Sequence, residues 1–360
     1  MSDTSDAAAW SPDTLRDISR RILEALGTPA DIAESVARDV VDANLAGHDS
    51  HGVIRIPQYA RAIEAGDIIP DARAEVLSDR GGTLLISGGW GFGLAAGRAA
   101  MALAIARAKD LGVAAAALVR AHHLGRLGIY PEQAGAAGCV GMAWVGGIGS
   151  GELLAVPYGG ARAAFGTNPI AAGFPMGEDP PFLLDFATTS VARGKVMVAR
   201  DAGTPLPPGS IVDRDGLPST DPADFFAGGA LLPFGGHKGY ALAVLAELLG
   251  QALTGADETG GEGRGGIFGA AGALFVAIDA GAFRPAGAAE TAAATIADRI
   301  RAVPPAPGFE AVRIPGDPES ESRARRLREG IVLAPGTEAD LLETAASLGV
   351  AVSRAARGKP

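Results

Sequence analysis

Gly91-Phe92-Gly93-Leu94-Ala95-Ala96-Gly97 is the stretch on which the fold class depends. It follows a short apolar run, Thr83 to Ser87, and precedes an alanine-rich segment, Ala95 to Asp110, which predict a strand and a helix. A glycine-rich turn between a strand and a helix resembles a dinucleotide-binding fingerprint, but the spacing is not G-x-G-x-x-G. The next predicted strand, Val113 to Arg120, leads into histidines instead of a ribose-binding acid. Two interpretations stay open: a divergent Rossmann turn, or a glycine turn packed under a helix.

Predicted helices and strands alternate along the rest of the chain. The predicted helices cover residues 12–26, 29–45, 56–65, 131–137, 240–253, 291–302 and 338–348, and the further strands cover 140–145, 163–165, 181–186 and 273–278. Glycine, proline and aspartate predict loops over residues 146–151, 201–224 and 256–266. This alternation predicts an α/β fold with a sheet covered by helices, and we expect the N-terminal and C-terminal helices to pack together as a second unit.

Composition excludes several classes of protein. The 360 residues are 48% hydrophobic and include one cysteine, so a disulfide scaffold and a cysteine-rich zinc site are excluded. The formal net charge of −10 argues against a nucleic-acid partner. The first ten residues hold Asp3 and Asp6 and no apolar run, and the longest uncharged stretch, Gln133 to Gly151, is rich in glycine. We therefore expect no signal peptide, no membrane span and a cytoplasmic location.

The first group of candidate functional residues is Gly47-His48-Asp49-Ser50-His51-Gly52. Two histidines three residues apart could bind a metal, but the flanking glycines indicate a loop and no second cluster completes a ligand set. We expect no metal. A loop histidine that titrates near neutral pH is suited to general acid–base catalysis, or it could cap the preceding helix through its carbonyls.

A second pair of histidines, His122-His123, directly follows the strand that ends at Arg120. Sites gather at strand ends in α/β proteins. Neighbouring rings point to opposite sides of an extended chain, so we expect one of the two to line a site and the other to be structural.

Two further segments contain candidate functional residues. Asp185 ends an apolar run, and a buried carboxylate there needs a partner, either a catalytic histidine or the start of a helix. His237 and Lys238 precede an apolar helix, where backbone N–H groups and a lysine charge would favour a phosphate. A Schiff base on Lys238 and a simple polar first turn are the alternatives.

Taken in order along the chain, these segments resemble the malate/L-lactate dehydrogenase family of the second, non-Rossmann type. The motifs that carry the resemblance are Asp49-Ser50-His51-Gly52, Phe165-Gly166-Thr167-Asn168-Pro169, the 185–188 segment with Gly194-Lys195, and His237-Lys238-Gly239-Tyr240. Residues 43–52 and 122–126 are closest in pattern to hydroxycarboxylate dehydrogenase B. Much of the wider family has Asn where this chain has His122, and Tyr where it has His237.

The resemblance implies a fold with a mixed, largely antiparallel sheet, which would explain why the fingerprint at Gly91 fails. It implies an N-terminal helical part over residues 1–80, a cofactor-binding α/β domain over 81–290, and C-terminal helices over 291–360 that return to the N-terminal unit. It also implies a homodimer that interconverts a small-molecule 2-hydroxy acid and 2-oxo acid with NAD or NADP. The sequence shows no clear clamp for a 2′-phosphate, which favours NAD.

The resemblance also implies roles for individual residues. His51 would exchange the proton, with His123 as a second candidate, and Asp185 would orient that chemistry or contact the nicotinamide. Arg55 would bind the substrate carboxylate, because a planar guanidinium suits it. The implied cofactor-binding residues are His51, Gly125, Arg126, Leu127, Leu183, Leu184, Asp185, Phe186, Ala187, His237, Lys238, Gly316, Asp317, Pro318 and Glu319.

Three other functions stay open. An NAD(P)H-dependent imino-acid reductase would need the same hydride donor and proton donor. A non-catalytic binding module and a metal-dependent lyase built on His48 and His51 are the others. The segments 145–152 and 257–266 depart from the family pattern, and either could change the substrate range or the choice of cofactor.

Overall fold

The computed structural model describes residues 9–147, 153–259, 269–352 and 357–358. Its helices are α1 (Pro12–Ala25), α2 (Ala30–Leu45), α3 (Ile56–Glu64), α4 (Gly93–Leu111), α5 (Ile129–Ala136), α6 (Arg193–Ala202), α7 (Pro222–Phe226), α8 (His237–Glu247), α9 (Ala256–Thr259), α10 (Ala288–Arg301), α11 (Asp317–Glu329) and α12 (Pro335–Ser347). Its strands are β1 (Ala9–Trp10), β2 (Glu75–Asp79), β3 (Thr83–Ser87), β4 (Val113–Ala121), β5 (Cys139–Gly146), β6 (Ile170–Met176), β7 (Asp179–Phe186), β8 (Ile211–Val212), β9 (Pro218–Ser219), β10 (Ala230–Leu231), β11 (Ala271–Asp279) and β12 (Arg357–Gly358). Two 3₁₀ turns, Asp49–His51 and Val53–Arg55, connect α2 to α3.

The central sheet has seven strands in the order β2-β3-β4-β11-β5-β6-β7. Only the β3–β4 pair is parallel, and the other neighbouring pairs in this sheet are antiparallel. The mixed, largely antiparallel sheet confirms the predicted fold class and excludes a doubly wound Rossmann sheet, whose strands are mostly parallel.

The glycine-rich stretch at Gly91 forms the turn between β3 and α4. A Cβ placed on Gly93 would overlap the carbonyl oxygens of His122 and His123, and one placed on Gly97 would overlap the ring of Tyr130. These glycines therefore allow α4 to pack closely on the segment that follows β4. The second interpretation, a glycine turn packed under a helix, is the correct one.

The N-terminal and C-terminal helices pack together, as predicted. Helix α12 contacts α1 and α3, and α11 contacts α2. The backbone N–H of Trp10 donates to the carbonyl of Ile331 at 2.9 Å, and its indole donates to Glu338 at 3.0 Å. Leu15, Val36 and Leu341 from these helices belong to one hydrophobic cluster with the sheet. The domain boundaries at residues 80 and 290 stay a prediction.

Several predicted elements differ from the structure. Strand β6 and helices α6 and α11 were not predicted, and the predicted loop over 201–224 contains β8, β9 and the start of α7. Helix α8 begins at His237, three residues before the predicted start, and continues into a π-helical turn, Leu248–Ala252. The predicted loops over 146–151 and 256–266 lie largely outside the described residues.

Candidate functional site

The two consecutive 3₁₀ turns after α2 carry His51 and Arg55. Gly52 lies between the turns in an extended conformation, and a Cβ there would overlap the side-chain amide of Asn44. That amide accepts from the backbone N–H of Val53 at 2.9 Å and donates to Asp49 at 2.6 Å. Asn44 therefore fixes the turn from the last residues of α2, and Gly52 provides the space for it.

Asp49 has a structural role in this turn. Arg326 of α11 forms a two-pronged pair with its carboxylate, at 2.6 and 3.0 Å. The same guanidinium donates to the main-chain carbonyl of Asn44. The C-terminal helices thus hold the turn that carries His51, although the two segments are 277 residues apart.

The structure brings His51 and His123 together as a stacked pair. Their ring centroids are 5.5 Å apart and their planes differ by 14°. Nδ1 of His51 lies 3.0 Å from the hydroxyl of Ser50, and Nδ1 of His123 lies 2.8 Å from the hydroxyl of Tyr59. Both histidines proposed for proton transfer therefore share one site, each with a hydroxyl at its Nδ1.

His122 and His123 face different surroundings, as predicted for a tandem pair. His122 is buried, and its ring nitrogens lie 2.8 Å from the carbonyl oxygens of Gly269 and Asp67. Arg120, at the end of β4, has a positive φ of 51°, which turns the chain out of the strand just before the two histidines. His122 is therefore the structural member of the pair, and His123 is the one that reaches the site.

Arg55 lies beside the histidine pair, and two of its guanidinium nitrogens already donate hydrogen bonds within the protein. Its Nε donates to the carbonyl of Ser50 at 2.7 Å, and Nη1 donates to Gln58 at 2.7 Å. Its Nη2 has no hydrogen-bond partner among the residues that the structure describes. A guanidinium held rigidly by two bonds, with one nitrogen left over, is suited to bind a carboxylate.

Burial and nearby cations keep both histidines neutral. Burial, with the charge of Arg55 next in importance, lowers the pKa of His51 to about 3. The same two causes hold the pKa of His123 well below its ordinary value. Burial raises the pKa of Tyr59, so its hydroxyl keeps its proton. In the free protein both rings are therefore neutral, and Arg55 supplies a positive charge beside them.

Arg126 and Asp185 form a second buried cluster next to this pair. The Arg126 residue is 2% exposed, and its Nη2 donates to Glu132 at 2.5 Å, but its Nε and Nη1 have no partner in the described part of the chain. Asp185 accepts from the backbone N–H of Gly128 at 2.8 Å, and burial raises its pKa. A Cβ on Gly128 would lie 2.7 Å from Nη1 of Arg126 and 2.8 Å from Oδ2 of Asp185, so both side chains line the same small space.

The segment at Gly316 packs against the strand that carries Asp185. Leu183 of β7 donates its backbone N–H to the carbonyl of Pro315 at 3.0 Å, and Gly316 has a positive φ of 102° close to Leu183. Glu319 reaches His48 at 3.2 Å, and this hydrogen bond lowers the pKa of Glu319. Asp317 instead pairs with Arg301 at 2.6 Å, which ties it to α10.

His237 and Lys238 begin α8 and are exposed. The ring of Phe234, just before them, packs edge-to-face on Phe186 at the end of β7, with centroids 5.3 Å apart. Three predicted cofactor-binding segments therefore lie along β7. Gly128, just after Leu127, bonds Asp185, Gly316 packs near Leu183, and Phe234, just before α8, packs on Phe186.

A family model described as malate/L-lactate dehydrogenase matches residues 10–342. The chain belongs to this family. It is 38% identical to the L-lactate dehydrogenase of Cupriavidus necator, over 94% of this chain and 98% of that protein. It is 36% identical to hydroxycarboxylate dehydrogenase B of Escherichia coli O157:H7, over 95% of this chain and 94% of that protein. The resemblance found in the sequence is thereby confirmed.

A solved structure of the same type extends the comparison. The delta1-piperideine-2-carboxylate reductase of Pseudomonas syringae superposes with a TM-score of 0.82 at 34% identity, over 94% of this chain and 99% of that chain. The malate/L-lactate dehydrogenase family thus includes relatives of this chain named as dehydrogenases and as a reductase. The chain is an oxidoreductase of this family.

Several residues that build the site in this family member were not predicted. Tyr59 could have been found from its position four residues after Arg55, which puts both on one side of the chain as it enters α3. Arg326 and Gly128 gave no local signal, because their partners are distant in sequence. The described segments contain no group of three His, Cys, Asp or Glu side chains placed to hold a metal ion. Nor does any helix within them combine the length and apolar character needed to cross a membrane.

Proposed function

We propose that this chain interconverts a 2-hydroxy acid and a 2-oxo acid by hydride transfer with NAD or NADP. The observation that carries the proposal is the stacked pair of His51 and His123 beside the guanidinium of Arg55, which is only partly engaged in hydrogen bonds. A neutral imidazole can accept a hydroxyl proton, and a cation can bind the carboxylate of the same substrate. A 2-hydroxy acid presents these two groups on adjacent carbons.

The residues of the second cluster fit a nicotinamide cofactor. Nε and Nη1 of Arg126 are buried donors without a partner in the described structure, which is costly unless a ligand supplies an acceptor. NAD(P) would be held by the predicted set: His51, Gly125, Arg126, Leu127, Leu183, Leu184, Asp185, Phe186, Ala187, His237, Lys238, Gly316, Pro318 and Glu319. Asp317 fits a structural role better, because Arg301 already pairs with it. When bound, the cofactor supplies the hydride acceptor or donor, and NAD stays the preferred choice.

The roles of the reacting groups follow from this arrangement. In oxidation, the substrate hydroxyl gives its proton to neutral His51 while Arg55 holds the carboxylate, and in reduction the proton returns. Burial is the main cause of the low pKa of His51, and the charge of Arg55 is the second. Binding the carboxylate offsets the second cause, so the histidine becomes a better proton acceptor once substrate is present. Asp185 bonds Gly128 beside Arg126 and contacts neither histidine by a hydrogen bond, so we assign it to the nicotinamide side.

A second candidate activity is reduction of a cyclic or acyclic imino acid. The similarity to delta1-piperideine-2-carboxylate reductase favours it as the alternative. An imino acid has the same carboxylate for Arg55, and its nitrogen takes the place of the carbonyl oxygen. The substrate therefore decides between the two readings, and the geometry of the histidine pair suits both.

The deciding experiment follows the absorbance of NADH and of NADPH with a panel of 2-oxo acids, each with and without an amine. Oxidation of the reduced cofactor by a 2-oxo acid alone supports the hydroxy-acid activity and ranks the two cofactors. Turnover only in mixtures that contain an amine would favour the imino-acid activity. His51→Ala should lower the rate by about 10²–10⁴-fold and leave cofactor binding largely intact. A rate equal to that of the wild type would remove His51 from the proposed role.

We also propose that the protein acts in the cytoplasm as a homodimer. Leu245, Leu248 and Leu253 are 42%, 54% and 64% exposed along α8 and the turn that follows it, and they provide an apolar surface for a second copy. Light scattering coupled to size-exclusion chromatography should give a mass near twice that of the 36.1 kDa chain. A mass equal to one chain at micromolar concentration would contradict the dimer.

A further inference from the structure

Tyr59 contacts the histidine pair from α3 and has no role in the chemistry described so far. Its side chain is 1% exposed, and its ring packs edge-to-face on Phe92, with centroids 5.6 Å apart. Its hydroxyl lies 2.8 Å from Nδ1 of His123. Packing therefore fixes the ring, and this places the hydroxyl next to Nδ1 of His123.

The chemistry of the two groups sets the direction of this hydrogen bond. The phenol of Tyr59 keeps its proton, because burial raises its pKa, and the imidazole of His123 is neutral, because burial lowers its pKa. The phenol is the more acidic of the two possible donors, and the unprotonated ring nitrogen is the more basic of the two possible acceptors. The stronger pairing is therefore O–H of Tyr59 to Nδ1 of His123.

We propose that Tyr59 is a positioning residue that fixes the tautomer of His123, so that the single ring proton of this histidine is on Nε2. The catalytic consequence of this inference rests on the proposed function. Nε2–H of His123 would donate a hydrogen bond to the reacting oxygen of the substrate and keep its own proton throughout. Tyr59 would act through His123.

His51 would take the complementary role. The hydroxyl of Ser50 can accept a hydrogen bond from Nδ1–H of His51, and in that tautomer Nε2 carries a lone pair. Nε2 of His51 has no hydrogen-bond partner within the described ranges. In oxidation the O–H bond of the substrate would break and its proton would move to Nε2 of His51. The bound cofactor would supply the acceptor for the hydride from the carbon that bears this oxygen, which becomes the carbonyl carbon. A hydroxyl oxygen can donate to one histidine and accept from the other, so a stacked pair in opposite tautomers matches it.

Other charged groups around the pair are compatible with this assignment. Arg55 disfavours a proton on either ring, and His48 and Arg126 add to this effect at His51. No carboxylate forms a hydrogen bond with the ring of His51 in the described part of the chain. A phenol partner fixes the orientation of His123 without adding the negative charge that would stabilise its doubly protonated form.

The test is nitrogen NMR of the purified protein with ¹⁵N-labelled histidine, which distinguishes a protonated ring nitrogen from an unprotonated one. The chain has five histidines, so single His→Gln variants can assign every signal. In the wild type at pH 7, His123 should show a protonated Nε2 and an unprotonated, hydrogen-bonded Nδ1. Finding the proton of His123 on Nδ1 would overturn the proposal, and apart from the assignment variants this measurement needs no substrate and no change at Tyr59.

Tyr59→Phe tests the cause, with Tyr130→Phe as the matched control. Tyr130 is also fully buried, and its hydroxyl donates to the carbonyl of Leu124 at 2.7 Å, so its variant loses a comparable hydrogen bond away from the histidine rings. Tyr59→Phe should shift the His123 nitrogen signals toward a mixture of tautomers, and Tyr130→Phe should not. Unchanged His123 signals in Tyr59→Phe would refute the role of the hydroxyl.

Kinetics with whichever substrate the panel identifies provides the second readout. Tyr59→Phe should lower kcat about tenfold and change KM less, because the loss of a correctly oriented donor reduces the stabilisation of the transition state more than that of the initial complex. An unaltered kcat with an altered tautomer would show that His123 does not contact the reacting oxygen. If no oxo or imino acid is reduced, the proposed function fails, whereas the tautomer measurement still decides the role of Tyr59.

Discussion

Gly52→Ala is the substitution that tests most directly how the turn that carries His51 is built. Gly52 has φ −82° and ψ −154°, an extended conformation that alanine adopts without strain. The new methyl group would nevertheless overlap the side-chain amide of Asn44. Asn44 is 1% exposed and is fixed by two hydrogen bonds, so its side chain cannot turn into solvent without breaking them.

The expected loss of stability follows from those two bonds. If Asn44 is displaced, the buried N–H of Val53 loses its acceptor at 2.9 Å, and Asp49 loses a donor at 2.6 Å. An unsatisfied buried N–H costs about 1–3 kcal/mol, and the second bond contributes about 1 kcal/mol because Arg326 still pairs with Asp49. We expect Gly52→Ala to lower the free energy of unfolding by about 2–4 kcal/mol.

A double-mutant cycle with Asn44→Ala isolates this interaction. Asn44→Ala loses the same two bonds and should cost a similar amount, but it also removes the group that the new methyl meets. In that background Gly52→Ala should cost less than about 1 kcal/mol, which gives a coupling of about 2 kcal/mol. Urea unfolding of the four proteins, followed by fluorescence and by far-UV circular dichroism, measures it. Additive effects of the two changes would refute the steric argument.

Three further predictions concern the charged groups of the site. Arg126→Met removes the buried unpartnered donors and should raise the Kd for NADH about 10–100-fold in a fluorescence titration, whereas an unchanged Kd would contradict the proposed cofactor site. Arg55→Lys replaces a fork with a point charge and should raise the substrate KM more than it lowers kcat, and steady-state kinetics showing an unchanged KM would exclude Arg55 as the carboxylate ligand. The pKa of His51 is about 3 in the folded protein and about 6.5 in the unfolded chain, so the unfolded state binds the proton first and stability falls as pH decreases below about 6.5. His51→Gln should reduce this slope by up to about 1.4 kcal/mol per pH unit between pH 7 and pH 5, and equal slopes in urea unfolding would show that His51 is not held neutral.

Local sequence predicted the residue types of the site better than their arrangement. The histidines and Asp185 stood out because polar side chains interrupt apolar or glycine-rich segments, whereas Arg55 was indicated only by the resemblance to the family. The long-range contacts around them could not be predicted, because Arg326 reaches Asp49 and Gly128 reaches Asp185 across the fold. Tyr59 lies close to Arg55 along the chain, but its contact with His123 spans 64 residues. The strand order depends on the same long-range pairing, so only the resemblance to a family indicated a mostly antiparallel sheet.

The missed elements have local causes. Helix α11 has many charged residues and a single buried position, Ser322, so it has no apolar stripe that would predict a helix. Helix α6 begins with Arg193-Gly194-Lys195, where glycine lowers helix propensity. Gly194 nevertheless lies against Ser50, and a Cβ there would be 3.5 Å from the Cβ of Ser50. The position of both helices is therefore explained by their contacts with the turn that carries His51, and their own sequences do not predict them.

The glycine-rich stretch at Gly91 shows why a fingerprint of this kind can mislead. In a Rossmann fold, glycines let the pyrophosphate approach the free N–H groups at the start of the helix. Here the start of α4 is covered by the segment after β4, since Gly93 packs against the carbonyls of His122 and His123 and the side chain of Leu94 packs against Gly125. Here glycine permits the close approach of the protein's own backbone and not of a ligand. This close approach fixes His123 at the position where Tyr59 and His51 meet it, so the same residues that suggest a dinucleotide turn support the stacked His51–His123 pair instead.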